Sequence, residues 1–203
     1  MTGNYRPDLL AALLGSRICH DLISPLGAIG NGLELLKMQG NANGPEVRLI
    51  SDSVVNAHAR IRLFRLAFGT AELGQTVARQ EMATILEETF PSRRMELDHD
   101  LPDPIDRGDA KLVLLSLLCL ESALPTGGRL SVVGDGSRWR MAAAGPELQA
   151  EPRLWDALRE PSPPAEEEIT PDEVQFAILK QSAPHAGRRP EVEIDAEEIT
   201  LRF

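Results

Sequence analysis

The sequence predicts an α+β protein in two parts. Residues 1–74 form an N-terminal helical hairpin that pairs with a second copy as a dimeric four-helix bundle, and residues 75–203 form a C-terminal α/β sandwich. Three observations lead there. Residues 7–68 carry two long apolar stripes at helical spacing and no strand-like alternation. From Gln75 onward, short alternating runs, Gly-containing turns and apolar helical patterns are mixed. Charge divides at the same place, with 7 basic and 6 acidic side chains in residues 1–74 against 14 and 25 in residues 75–203.

At 203 residues the chain is long enough to bury a substantial core, and a 42% hydrophobic, 26% charged composition is that of a globular protein. Aromatics make up only 4%, so that core is aliphatic. A net charge of −10 argues against nucleic acid as a ligand, because phosphate contacts require clustered Lys and Arg. No uninterrupted apolar run of 18 residues and no basic, apolar and small-residue leader is found, so the expectation is a cytoplasmic protein without membrane contact. Cys19 and Cys119 sit in apolar helical patterns with no metal-ligand spacing, which fits reduced thiols.

In chain order, the first helix is expected from Pro7-Asp8 to about Gln39. Its apolar stripe is Ile18, Leu22, Leu26, Ile29, Leu33 and Leu36, at spacings of 4, 4, 3, 4 and 3. Pro25 lies inside it and predicts a kink. Gly40-Asn41-Ala42-Asn43-Gly44-Pro45 reads as a stop, a turn and a restart. The second helix repeats Val47, Ile50, Val54, Ala57, Ile61, Phe64 and Phe68. One hairpin cannot cover both stripes, and a second copy can, hence the dimer. The rival is that the C-terminal part covers them within one chain. Residues 76–90 read as a helix, 94–98 as a strand and 100–107 as a loop. Asp109 is expected to cap an apolar helix over Leu112–Leu124. Leu130–Val133 and Trp139–Ala144 pair as a hairpin over Gly134-Asp135-Gly136-Ser137. A short helix within 147–160, a linker at Pro161-Ser162-Pro163-Pro164, a helix from Pro171 to about Ala183 and two strands, 191–194 and 199–203, complete the chain.

Within the first helix, His20 lies about 160° round from Leu22, given 3.6 residues per turn. Its helical neighbours are Ser16, Arg17, Ser24, Gly27 and Asn31, so a titratable imidazole is held on a face of small and polar residues that another protein can approach. The other histidines carry weaker signals: His58 reads as a packing or inter-helix residue, His99 as part of a solvated loop, and His185 as a helix-end residue. The acidic runs, such as Glu166-Glu167-Glu168, read as solvated.

His20-Asp21-Leu22-Ile23-Ser24-Pro25-Leu26 is similar to the phosphoacceptor motif of sensor histidine kinases, His-Glu-Leu-x-x-Pro-Leu. With Arg17-Ile18-Cys19 before it and Asn31-Gly32-Leu33-Glu34-Leu35-Leu36 after it, the segment resembles more closely the ChpT-type histidine phosphotransferases of alphaproteobacteria. The layout of parts resembles those proteins over nearly the whole chain, while only residues 16–36 form a specific signature. The resemblance implies a homodimeric phosphorelay intermediate that carries phosphate between receiver-domain aspartates without ATP, and a C-terminal part resembling a degenerate kinase ATPase (Bergerat/GHKL) domain. Departures from the kinase pattern agree. Ser116 and Leu120 stand where the kinase asparagines belong, alanine replaces the adenine-reading aspartate in the strand ending Met141-Ala142-Ala143-Ala144-Gly145-Pro146, and no glycine occurs between Pro146 and Ala186. That last span also carries 9 acidic and 3 basic residues, which repels a triphosphate.

The resemblance therefore implies His20 as phosphoacceptor and Asp21 as its catalytic neighbour, with Arg17, Ser24, Gly27 and Asn31 as phosphoryl or receiver contacts. It implies no cofactor of the chain's own, because the receiver supplies Mg²⁺. The alternatives are an ATP-dependent sensor histidine kinase core and a non-catalytic dimer that sequesters receivers.

Overall fold

The computed structural model describes residues 6–39, 44–90, 94–159 and 169–203. The predicted turn at 40–43 and the linker at 161–164 with its glutamates lie outside them. Helix α1 (Pro7–Gln39) and helix α2 (Pro45–Ala67) match the sequence reading, and α2 opens with Pro45 at its first position. They lie against each other along their length. Gly32 sets how close they come: a Cβ there would stand 2.5 Å from Ile50 Cγ1. Pro25 is accommodated within α1, where its missing N–H leaves the Asp21 carbonyl without its helical donor.

Strand β1 (Thr76–Val77) precedes helix α3 (Arg79–Thr89). Strand β2 is Met95–Asp100, and β3 (Ile105–Asp106) pairs antiparallel with β1. Two expectations are corrected here. The helix expected at 76–90 begins at Arg79, because Thr76 and Val77 join a ladder with residues 105–106 from the stretch expected as loop. A two-residue ladder leaves no alternation to read. Helix α4 (Arg107–Ser122) starts earlier than expected, and its cap is Asp106, whose carboxylate accepts from the amides of Gly108 (2.8 Å) and Asp109 (3.3 Å).

Asp109 lies inside the helix and buried. Its two carboxylate oxygens receive Arg188 Nε at 2.9 Å and Arg188 Nη2 at 2.6 Å, and Trp139 Nε1 donates to it at 3.1 Å. The paired carboxylate raises the Arg188 pKa above its usual value.

Strands β4 (Gly128–Gly134) and β5 (Trp139–Ala144) form the expected hairpin. Helices α5 (Pro152–Arg159) and α6 (Val174–Ser182) follow, the latter entered through a 3-10 turn at Pro171–Glu173, and β6 (Glu191–Ile194) and β7 (Glu198–Arg202) close the fold. Five strands make one sheet in the order β2-β4-β5-β7-β6, with only β2 and β4 parallel. Gly127 and Gly128 permit that pairing: both have positive φ, and a Cβ on Gly127 would stand 2.1 Å from the Arg94 carbonyl oxygen.

The core lies between the helices and the sheet. Leu112, Leu114, Leu115 and Leu117 of α4 are fully buried against Leu130, Val132, Met141, Ile199 and Leu201. Each such leucine contributes about 2 kcal/mol of transfer free energy. The end of α2 joins this core through Leu63, Phe64 and Leu66, and Ile18 and Leu22 of α1 pack against it. The rest of the hairpin is different. In the single chain Leu26 is 58% exposed and Ile61 51%, and Leu33, Val54 and Val55 are also open. Helix α1 has the length and composition of a bilayer-crossing helix, with a mean hydropathy of 1.3 over its best window.

Candidate functional site

His20 is held by the middle of α1, with a side chain 76% exposed. Asp21, one position on, is 12% exposed, and its Oδ1 lies 3.4 Å from His20 Nδ1. A neighbour 100° round the helix reaches the ring because the other carboxylate oxygen is fixed. Arg17 Nε donates to Asp21 Oδ2 at 2.9 Å, one turn below. Arg60 Nη1, from α2, stands 3.9 Å from the same oxygen. Arg17 spends its other arm on the C-terminal part, with Nη1 donating to the Asp172 carbonyl at 2.9 Å. The imidazole is thus open to an incoming group, while the carboxylate that contacts it is locked from beneath.

Behind these arginines lies Glu121 of α4. Burial raises its pKa, and the nearby Arg60 and Arg17 charges oppose that shift. Arg17 and Arg60 thus meet Asp21 where α1 and α2 adjoin, with the turn into α6 alongside, and their charges reach Glu121 of α4.

The structure joins three of the six residues singled out from the sequence: His20, Asp21 and Arg17. Arg17 is engaged with Asp21 and Asp172 and is 15% exposed, so it serves the carboxylate and is not aimed at the ring. Ser24, Gly27 and Asn31 are exposed further along α1, and a Cβ at Gly27 would meet nothing within 4 Å. At 1.5 Å per residue, Asn31 is roughly 16 Å from His20, so it can touch a docked partner but not the group on the ring. Arg60, Glu121 and Asp172 were missed by the sequence reading. Each is distant in sequence from Asp21, and no local spacing marks such a contact.

Of the remaining histidines, His58 is exposed in the single chain. His99 sits on β2 with Nε2 3.1 Å from Glu87, and His185 Nδ1 meets the Gln181 carbonyl at 2.8 Å. Among the described residues, no three His, Cys, Asp or Glu side chains gather as a metal site. Cys19, beside the phosphoacceptor candidate, is exposed. Cys119 is buried, and burial raises its thiol pKa well above the usual value. A cleft of about 740 Å³ is lined from α1 by Leu10, Ala11 and Leu14 and from elsewhere by Phe68, Lys111 and Arg188; His20 does not line it.

The two positions that the sequence reading set against the kinase asparagines are buried. Ser116 is fully buried and spends its hydroxyl on the Leu112 carbonyl at 2.8 Å, and Leu120 is fully buried in the core.

The family model for the histidine phosphotransferase C-terminal domain matches residues 79–198. The protein phosphotransferase ChpT of Brucella abortus (strain 2308) is 36% identical over 202 residues, spanning 95% of this chain and 93% of that protein. The chain belongs to the ChpT-type histidine phosphotransferase family. The solved structure of a bacterial phosphotransferase superposes on this phosphotransferase with a TM-score of 0.82 and 32% identity, covering 100% of this chain and 98% of that one. A histidine kinase from Burkholderia phymatum STM815 aligns more loosely, with a TM-score of 0.42 and 20% identity. As a member of this family the chain is a phosphotransferase of the phosphorelay type, with partners of the two-component kind.

Proposed function

We propose that this phosphotransferase carries its phosphoryl group on His20, taking it from a receiver-domain aspartate and giving it to another. The observation that supports this most is the geometry around the ring: an exposed imidazole whose Nδ1 faces a fixed carboxylate and whose other nitrogen faces solvent. An imidazole paired in this way holds its proton on Nδ1 and presents a lone pair at Nε2. That lone pair attacks phosphorus in line as the bond to the receiver's aspartyl oxygen breaks. A P–N bond forms, the aspartate leaves as carboxylate, and the ring becomes a phosphoimidazolium whose charge Asp21 balances. The reverse sequence delivers the group. Mg²⁺ held by the receiver offsets the phosphoryl charge during both steps, and this chain supplies position.

Several features support the finer parts of the reading. The small, open face of Ser24, Gly27 and Asn31 suits a docking receiver. The uncovered apolar side of α1 and α2 suits a second copy, giving a homodimeric four-helix bundle as the N-terminal unit of residues 1–74. Buried Ser116 and Leu120 suit a degenerate kinase-like part, residues 75–203, that holds no nucleotide and offers the receiver a second surface. The cytoplasm, where receivers reside, suits this reading, and the apolar content of α1 then serves bundle packing.

The test is incubation of the full chain with a phosphorylated receiver domain. Acid-labile phosphate should appear on the wild-type chain and be absent from His20→Ala. Label elsewhere would overturn the assignment, and complex formation without transfer would favour a sequestering dimer. Phosphate taken up from ATP by the chain alone would instead mark a kinase.

A further inference from the structure

We propose that Arg17 and Arg60 are positioning residues for His20, acting through Asp21, and that Arg17 makes this positioning depend on the seating of the C-terminal part. The proposal rests on His20 being the phosphoacceptor, and its test is built so that the two can fail separately.

The geometry carries the case. An aspartate next to a histidine on a helix points about 100° away from it, so left alone Asp21 would turn toward solvent. It does not, because Oδ2 is taken by Arg17 Nε at 2.9 Å and faces Arg60 at 3.9 Å. Only then is Oδ1 left 3.4 Å from His20 Nδ1. The two arginines differ in kind. Arg60 is beyond hydrogen-bond distance and acts as a charge. Arg17 acts as a fork, with one arm on the carboxylate and the other on the Asp172 backbone carbonyl at the turn into α6. Its side chain therefore spans from the phosphoacceptor helix to an element more than 150 residues further along the chain. The charges of both arginines also reach the buried Glu121 of α4. The half-buried setting of Arg17 and Asp21 makes this pair worth more than an exposed one.

A free histidine side chain prefers its proton on Nε2, which would place the lone pair on the wrong nitrogen. Holding the proton on Nδ1 is what the network contributes to transfer. The test uses the uniformly ¹⁵N-labelled full chain. Ring-nitrogen shifts of His20 read which nitrogen bears the proton, and transfer from a phosphorylated receiver domain is timed in parallel. In the wild type the neutral ring should be the Nδ1–H form. Arg17→Gln should move it toward Nε2–H and slow transfer on the order of tenfold, as losses of orienting partners do.

Conservative variants separate positioning from mere structure. Arg60→Lys, which keeps the charge, should leave tautomer and rate near wild type while Arg60→Gln lowers both. Arg17→Lys, which cannot hold the carboxylate and the Asp172 carbonyl together, should behave like Arg17→Gln. Asp172→Ala keeps the backbone carbonyl but removes the carboxylate 3.6 Å from Arg17 Nη1, and should shift tautomer and rate less than Arg17→Gln does. An unchanged tautomer in folded Arg17→Gln would overturn the proposal, as would full rescue by Arg17→Lys. Should Arg17→Gln fail to fold, the Arg60→Gln and Arg60→Lys pair decides by the same readout. Absence of phosphate on His20 in the wild type would sink the parent reading instead, while the tautomer measurement would still report on the network.

Discussion

At the scale of single residues, the buried polar groups carry the sharpest consequences. Asp109 is 3% exposed and satisfied by Arg188 and Trp139 alone among side chains. Arg188→Met would strand that carboxylate in the core, and breaking a buried pair from one side costs about 3–5 kcal/mol. Urea denaturation should show the unfolding free energy falling by that amount, through a lower midpoint at an unchanged slope. Asp135 behaves differently. Its carboxylate accepts from the Ser137 hydroxyl and from the amides of Ser137 and Arg138, which together lower its pKa from 3.8 to about 2. A lowered carboxylate stabilises the folded state above its unfolded pKa, and this is lost as pH falls. The melting-temperature gap between wild type and Asp135→Ala should therefore be full above pH 5 and close between about pH 4 and pH 2. Sequence reading saw both aspartates, placing Asp135 correctly in a turn and Asp109 wrongly as a cap. The turn is written locally as Gly-Asp-Gly-Ser, whereas the partner that takes Asp109 inward lies 79 residues away.

At the scale of elements, periodic stretches were legible and ladder-made ones were not. Helices α1 and α2 and strand β5 carry their own period and agree with expectation, while α6 starts at Val174 behind a 3-10 turn and β4 extends from Gly128 to Gly134. Strands β1 and β3 exist only because each pairs with the other. The hairpin offers an element-level test at Gly32. Adding a methyl there pushes on Ile50, and overpacking of this kind costs about 1–3 kcal/mol. Gly32→Ala should destabilise the chain, and Ile50→Ala in the same molecule should recover part of the loss beyond additivity. Gly27→Ala, with open space around it, should instead raise stability by up to about 1 kcal/mol through helix propensity, and serves as the control.

At the scale of the molecule, two helices show apolar residues to water on one side and bury their ends in the C-terminal core on the other. In the proposed bundle, pairing with a second copy would remove that exposure. Leu26→Asp with Val55→Asp should shift sedimentation from a dimer to a monomer while circular dichroism of the sheet and α4 is retained. A wild-type monomer at micromolar concentration would remove the basis for the bundle. The His20–Asp21 contact was readable because the two residues are consecutive. The arginine from α2 and the α6 carbonyl were not, because only the assembled chain brings them to Asp21.

The cysteines give the molecule a practical property. One thiol is open and the other sealed in the core, so the natural chain takes a maleimide dye at a single place, Cys19, without engineering. The fluorophore would ride one residue from the imidazole, and its emission would record each partner's arrival and departure in real time.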